Sequence, residues 1–330
     1  MPRPRAARSG GPEHARTAIG RPAPRRPGPG PGRPTFGRRG FLTGSALAMA
    51  AALAGCGDRR SPVGPAPSGA LSVGAIPDQD PEVLARLYGT VADAMSAALD
   101  LEVVYRPVTD YAAAVSLFRT GDLDLVWFGG LTGVQARLQT PGAVPVAQRD
   151  VDAAFHSVFV VDAATGLAPA DDLRALAPLR FTYGSETSTS GRLMPAWFLR
   201  RAGVDPQGFP GGPGFSGSHD ATLALVGSGS YQAGVLNEQV WAARTADGSV
   251  APSVVEYART PAYHDYHWLL GPAAVDRLGA DLPDRVRSWL LGLPPGDEVL
   301  ELFGAGSFLP TDASAYDQIE AIGRELGLIT

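Results

Sequence analysis

Lysine is absent from this 330-residue chain, and cysteine occurs once, at Cys56. A single cysteine excludes a disulfide framework within the chain and any cysteine-rich zinc site. Five histidines are scattered, with no His-Glu-x-x-His and no His-x-His pair beside carboxylates; His264 and His267, three apart, are too few for a metal set. No metal and no cofactor are therefore expected. There is no Gly-x-Ser-x-Gly elbow, and Gly214-Phe215-Ser216-Gly217-Ser218 resembles one only superficially. No catalytic residue is assigned. An exported serine hydrolase or phosphatase stays open as an alternative, and would need a base against its nucleophile or metal ligands.

Charge is unevenly spread. Ten arginines and one acid, Glu13, precede Cys56, and eighteen arginines face thirty-two acidic residues from there on, a balance of about −14. Such an acidic body argues against a nucleic-acid partner. It also requires any bound anion to be held by local dipoles and hydrogen bonds, because the overall field repels it.

What is present begins with an export signal. Residues 1–40 are rich in Pro, Gly and Arg and cannot build a core. Arg38-Arg39-Gly40-Phe41-Leu42 opens an apolar run that ends in Leu53-Ala54-Gly55-Cys56. The run is too short to span a bilayer comfortably. The arginine pair resembles a twin-arginine signal, and Leu-Ala-Gly-Cys resembles a bacterial lipobox. Residues 1–56 are thus expected to be a lipoprotein signal peptide, with Cys56 acylated and the protein held on the outer face of the cell membrane. Residues 57–69 read as a flexible tether.

From Leu71 the chain alternates strands and helices. Strands are expected at Leu71–Ile76, Leu101–Tyr105, Leu123–Phe128, Ala154–Val161, Leu179–Tyr183, Tyr231–Leu236, Val254–Ala258 and Trp268–Leu270. Helices are expected from Pro81 to Leu99, after Asp110, at Val134–Leu138, at Ala170–Leu176, after the hydroxyl turn described next, and behind Ser218. This is an α/β pattern with largely parallel sheet, in which ligands bind beyond the C-terminal strand ends.

One stretch stands out: Tyr183-Gly-Ser-Glu-Thr-Ser-Thr-Ser-Gly-Arg-Leu-Met-Pro195. Four hydroxyl residues, Thr187 to Ser190, precede Gly191 in a strand-to-helix turn. Such a turn aims free N–H groups, the helix dipole and O–H donors at one point. One helix cap needs one hydroxyl; four in a row suit a tetrahedral oxyanion. Gly191 would let a ligand approach the backbone.

Asp110-Tyr111, Trp127-Phe128-Gly129, Ser188-Thr189-Ser190-Gly191 with Pro195, Ser218-His219-Asp220 and the Pro261–Trp268 segment together resemble the PhnD-like periplasmic binding proteins of ABC importers for phosphonate, phosphite and related oxyanions. The match covers nearly all of residues 71–330. Ile76-Pro77-Asp78-Gln79-Asp80 and Trp127-Phe128-Gly129-Gly130-Leu131 are similar to a narrower branch that carries a selenate-binding label.

The resemblance implies a type II binding-protein fold, with residues 70–160 and 261–330 in lobe 1, residues 161–260 in lobe 2, and crossing strands near Phe159–Val161 and Val255–Thr260. It implies an ABC permease, with its ATPase, as partner. It implies an oxyanion held by Tyr111, Ser188, Thr189, Ser190, Gly191 and His219, with Phe128 where relatives often carry a second tyrosine, beside Gly129. Glu238 and Asp265 would correspond to acids that hold a ligand amine. A sensor subunit binding the same anion is a further possibility.

Other residues have plainer readings. Asp78 and Asp80 read as turn and capping residues, and Arg192 as solvent-facing. His219 is expected as imidazolium if it meets a dianion. A buried acid facing the anion would disfavour sulfate and selenate, which carry no proton at neutral pH, and favour a protonated phosphorus oxyanion.

Overall fold

The structure, a computed structural model, describes residues 69–330. The signal peptide, Cys56 and residues 57–68 of the tether lie outside the described residues.

The chain runs β1 (Leu71–Ala75), α1 (Pro81–Leu99), β2 (Val103–Tyr105), α2 (Tyr111–Thr120), β3 (Leu125–Phe128), α3 (Gly130–Gln139) and β4 (Val144–Arg149). Next come β5 (Ser157–Asp162), β6 (Phe181–Tyr183), α4 (Met194–Arg201), β7 (Gly214–Phe215), α5 (His219–Gly227), β8 (Ala233–Asn237), α6 (Glu238–Ala246) and β9 (Val254–Arg259). The chain closes with β10 (His267–Leu270), α7 (Pro272–Leu278), α8 (Leu282–Leu291), α9 (Glu298–Phe303), β11 (Phe308–Leu309) and α10 (Asp317–Glu325).

Two sheets result. The first has the order β11-β4-β10-β3-β1-β2 and the second β7-β6-β8-β5-β9. β1 pairs in parallel with β2 and β3, and β10 inserts antiparallel between β3 and β4. The C-terminal part therefore completes the first sheet. In the second, β6 is parallel to β7 and β8, while β5 is antiparallel to β8 and β9.

The expected division at 160/161 falls inside β5, whose residues from Ser157 on ladder with β8 and β9. The passages between the sheets are residues 150–156 and 260–266. They run side by side: Phe155 and Tyr263 exchange N–H···O bonds of 2.8 and 3.0 Å, and Ser157 N–H donates to Thr260 Oγ1 at 2.9 Å.

Local chemistry explains the elements. α1 is capped by Asp80, whose side chain accepts from Glu82 N–H, with Pro81 at its first position; Leu84, Leu87, Val91, Met95 and Leu99 line its buried face. Asp110 caps α2 by accepting from Ala113 N–H at 2.7 Å.

Two expectations are corrected and one strand is added. α3 starts at Gly130, four residues before the expected Val134, because β3 passes directly into it through Gly129. Gly133 must be glycine there, since a Cβ would lie 2.2 Å from the His267 ring. The expected helix at 170–176 is only a 3-10 turn at Leu173–Leu176 opened by Asp172. β4 was not expected: Pro145 masks it, and its ladder with β10 shifts register between Trp268 and Leu269.

Candidate functional site

Between the two sheets the helix N-termini of both lobes converge. On the first lobe these are α2, opening at Tyr111, and α3, opening at Gly130. On the second they are the hydroxyl turn before α4, and α5, opening at His219.

The hydroxyl turn divides its work. Ser188 is the cap, its Oγ accepting from Gly191 N–H at 2.9 Å. Thr189 to Leu193 then wind as one π turn, with Leu193 N–H bonded to Ser188 O at 2.9 Å, before Pro195 enters α4. Thr189 Oγ1 accepts from Leu131 N–H across the lobe interface at 2.9 Å. Ser190 Oγ is buried and has no partner. Thr187 is only half-buried. Gly191 is required by packing, since a Cβ would lie 2.9 Å from Ser188 Oγ, 3.2 Å from Gly184 Cα and 3.3 Å from His219 Cε1.

Gly129 allows the lobes to meet. A Cβ there would lie 3.1 Å from Thr189 Oγ1 and 3.3 Å from Asp265 Oδ1. Asp265 Oδ1 accepts from Gly130 N–H at 2.9 Å, so the first two N–H groups of α3 are taken by Asp265 and Thr189. Burial pushes the Asp265 carboxyl up to about 7, against the Gly130 N–H, which favours the ionised form.

Four buried polar atoms in this region are left without a partner: Tyr111 Oη, Ser190 Oγ, His219 Nδ1 and Asp265 Oδ2. Their residues are at most 2 % exposed. Buried polar groups are nearly always hydrogen-bonded, and an unmade bond in such a place costs about 1–3 kcal/mol. Four of them at one lobe interface mark a site shaped for a polar ligand. Burial holds the Tyr111 phenol well above its ordinary pKa, so it stays a donor.

Not every expected residue joins this cluster. The Phe128 ring packs edge-on against Phe118 at 5.6 Å inside the first lobe. Glu238 is committed at the passage between lobes: Oε1 accepts from His156 N–H at 2.9 Å and Oε2 pairs with Arg259 at 3.2 Å. The imidazolium form was expected for His219 only in contact with a dianion; burial by itself holds its pKa down to about 4, so the ring is neutral at neutral pH. Arg192 is not solvent-facing: its guanidinium lies 4.5 Å above the Tyr183 ring and 5.5 Å from that of Phe215.

Asp78, Asn237, Tyr263 and Tyr266 belong to the same region, though no motif in the chain marks them as site residues. Asp78 is buried, and its carboxylate accepts from Tyr266 Oη at 2.8 Å. Asn237 Nδ2 donates to the same hydroxyl at 3.0 Å. Tyr263 Oη bonds Ser157 Oγ at 2.7 Å. Behind Tyr266 lies Arg149, 5.4 and 5.3 Å from the Trp127 and Tyr266 ring centroids, bonded to both oxygens of Asp152 at 2.7 Å and to Phe303 O at 2.8 Å. Only the aromatic density of Tyr263–Trp268 signalled this wall in advance. A separate pocket of about 190 Å³ is lined by Asp78, Arg149, Asn237, Tyr266 and Glu301 among others, and by none of the four partnerless atoms' residues. Among the described residues no group of three or more His, Cys, Asp or Glu side chains is placed to hold a metal ion.

Two further bonds hold the lobes together. His219 N–H donates to Asp78 O at 2.9 Å. Asp80 N–H donates to Asp220 Oδ2 at 2.9 Å, and Arg244 holds Asp220 at 2.8 Å.

Residues 73–316 match the family model for the periplasmic phosphonate substrate-binding protein of ABC transporters. The chain is 47% identical over 268 residues, 78% of its length and 90% of the relative's, to a probable ABC transporter phosphite binding protein, PhnD1, of Prochlorococcus marinus strain MIT 9301. The structure of that organism's PhnD1 in complex with methylphosphonate superposes with a TM-score of 0.78 at 46% identity, covering 80% of this chain and 100% of that one. A binding protein component of an ABC phosphonate transporter from Pseudomonas aeruginosa superposes with a TM-score of 0.67 at 17% identity, covering 77% and 85%, and shows the shared fold.

Proposed function

We propose, from the premise that this chain belongs to the family of periplasmic phosphonate-binding proteins of ABC transporters, with their type II two-lobed fold, that it captures a small phosphorus oxyanion, phosphite or methylphosphonate, between its lobes. The observation that carries this reading is the set of four buried, partnerless atoms on Tyr111, Ser190, His219 and Asp265. A tetrahedral solute with three or four oxygens can reach four such groups at once. Tyr111 and Ser190 supply neutral donors, and the surrounding helix N-termini supply dipoles. No arginine is needed in contact with the anion.

Two features favour a ligand without an amine. Both oxygens of Glu238 are engaged, and Asp265 has one oxygen already spent on Gly130. A single free carboxylate oxygen suits one P–OH group better than an ammonium with three protons to satisfy. While ionised, the same oxygen disfavours selenate and sulfate, which would meet it with lone pairs only. The names of the Prochlorococcus relative and of its methylphosphonate complex point the same way.

Capture on this reading involves no covalent chemistry. The loaded protein would dock on an ABC permease. Anchoring through an acylated Cys56, supported by Leu53-Ala54-Gly55-Cys56, is part of the same proposal. No helix among the described residues is long and apolar enough to cross a membrane.

Calorimetry and thermal shift against phosphite, methylphosphonate, phosphate, 2-aminoethylphosphonate, sulfate and selenate test the ligand. A ligand that binds only the folded form raises the melting temperature; phosphite or methylphosphonate should do so most. Stabilisation by selenate or sulfate alone would reject the reading. Replacing Cys56 by serine should release the protein from the membrane fraction, and retention there would reject the anchor.

A further inference from the structure

Three polar side chains meet at the hydroxyl of Tyr266, and their hydrogen-bonding capacities fix one another. Asn237 Oδ1 caps α6 by accepting from Val240 N–H at 2.6 Å. Its carboxamide is thereby oriented, and Nδ2 donates to Tyr266 Oη at 3.0 Å. Tyr266 has one proton, and it goes to Asp78 Oδ2 at 2.8 Å. Burial pushes the Asp78 carboxyl up to about 6, with Tyr266 and Arg149 acting against that rise. At neutral pH it is a carboxylate and only accepts.

One lone pair of the phenol oxygen remains. The third neighbour is His219 Nε2, at 3.4 Å. Only an Nε2–H can use that lone pair. The buried ring holds a single proton at neutral pH, so with Nε2 protonated Nδ1 is bare. Nδ1 is the atom that lies buried without a partner. It faces the hydroxyl turn, 3.8 Å from where a Cβ on Gly184 would stand. The other charged or titratable groups around this chain are Asp220 next to His219, Arg149 beneath the Tyr266 ring, and Tyr111 and Asp265 across the site. None of them occupies Nδ1.

We propose that Asp78, acting through Tyr266, is a positioning residue that fixes His219 as its Nε2–H tautomer and presents Nδ1 to the cleft as a hydrogen-bond acceptor. The inference rests on the oxyanion reading of the site and sharpens its substrate class. Nδ1 then adds an acceptor to the cleft's donors, so the anion must bring a proton to it, while Asp265, whose carboxyl burial raises to about 7, can meet the anion protonated. Hydrogenphosphite and the methylphosphonate monoanion do. Sulfate and selenate do not, and would set oxygen lone pairs against the imidazole lone pair.

The test is ¹⁵N NMR of the imidazole-labelled protein at pH 7.5, with the His219 signals assigned by loss in His219→Gln. The expected wild-type spectrum has a protonated Nε2 and a bare Nδ1. In Tyr266→Phe the two signals should move toward the average of an unbiased tautomer mixture, a change that loss of packing alone would not produce. Added phosphite should shift the Nδ1 signal, and sulfate should bind at least about 100-fold more weakly. A protonated Nδ1 in the free wild type overturns the proposal, whether or not the variant folds. So does an unchanged spectrum in a folded Tyr266→Phe. If the expected tautomer is found but neither phosphite nor methylphosphonate binds, the oxyanion reading fails and the relay stands. If phosphite binds with Nδ1 protonated beforehand, the relay fails and the oxyanion reading stands.

Discussion

Leu131 and Thr189 lie on opposite lobes, and the N–H of the first donates to the Oγ1 of the second at 2.9 Å. One of the orphan donors at the start of α3 is satisfied only while the lobes are together. The hydroxyl turn is thus a closure contact, and on the proposed reading a ligand wall as well. Thr189→Val keeps the shape and removes the acceptor. It should weaken oxyanion affinity by roughly 1–3 kcal/mol, chiefly through faster release, while Thr189→Ser should retain most of it. Stopped-flow release kinetics check this, and an unaltered release rate in the valine variant would contradict it.

Ser190 differs from its neighbours because its Oγ has no partner in the unliganded protein. Ser190→Ala should therefore leave the melting temperature of the free protein unchanged or slightly raised. It should reduce methylphosphonate affinity by roughly 1–3 kcal/mol. Tyr111→Phe should behave in the same way, for the same reason. Paired melting curves and calorimetry separate the two effects; a variant that loses stability without losing affinity would place the hydroxyl in a structural role.

Asp265 makes stability depend on pH. Burial raises its carboxyl from 3.8 to about 7. Between those values the native state holds a proton that the unfolded chain has released, so this group's contribution is complete below about 4 and is lost as pH rises through about 7. Asp265→Asn keeps an acceptor for Gly130 N–H and removes the titration. The stability of wild type relative to the variant should therefore fall between pH 4 and pH 7, by up to about 4 kcal/mol. Parallel denaturant titrations at pH 4, 5.5 and 7 measure the difference. A constant gap would show that Asp265 titrates normally.

Glu238 serves the passage between lobes, with His156 N–H on one oxygen and Arg259 on the other. Glu238→Gln retains an acceptor for the backbone N–H and loses a partly exposed ion pair of small worth. Methylphosphonate affinity should change less than about twofold, within the energy of such a pair, and 2-aminoethylphosphonate should not bind more tightly than methylphosphonate in either form. Strong preference for the amine, abolished in the variant, would return Glu238 to the ligand site.

Much of this was legible in the chain. Period-3.6 apolar spacing and the Asp80 and Asp110 caps placed α1 and α2, and the alternation of elements gave the fold class. The hydroxyl run and Ser218-His219 gave half of the partnerless atoms. What stayed hidden was long-range. β4 carries a proline and polar residues, and becomes a strand only because β10, over a hundred residues later, pairs with it. Asp78 sits in a Pro-Asp-Gln-Asp-Pro stretch that reads as a turn. Its burial follows from the return of Tyr266 from the far end of the chain. The neutrality of His219 is likewise a product of closure: an imidazole is pushed down to about 4 only when both lobes exclude water from it.

The most direct test of the central claim is a crystal structure with methylphosphonate bound. The account predicts the phosphonate group enclosed between the lobes, with oxygens in hydrogen-bonding distance of Tyr111 Oη, Ser190 Oγ, His219 Nδ1 and Asp265 Oδ2. A phosphonate found instead in the separate pocket beside Arg149 and Glu301, with those four atoms still unpaired, would contradict it.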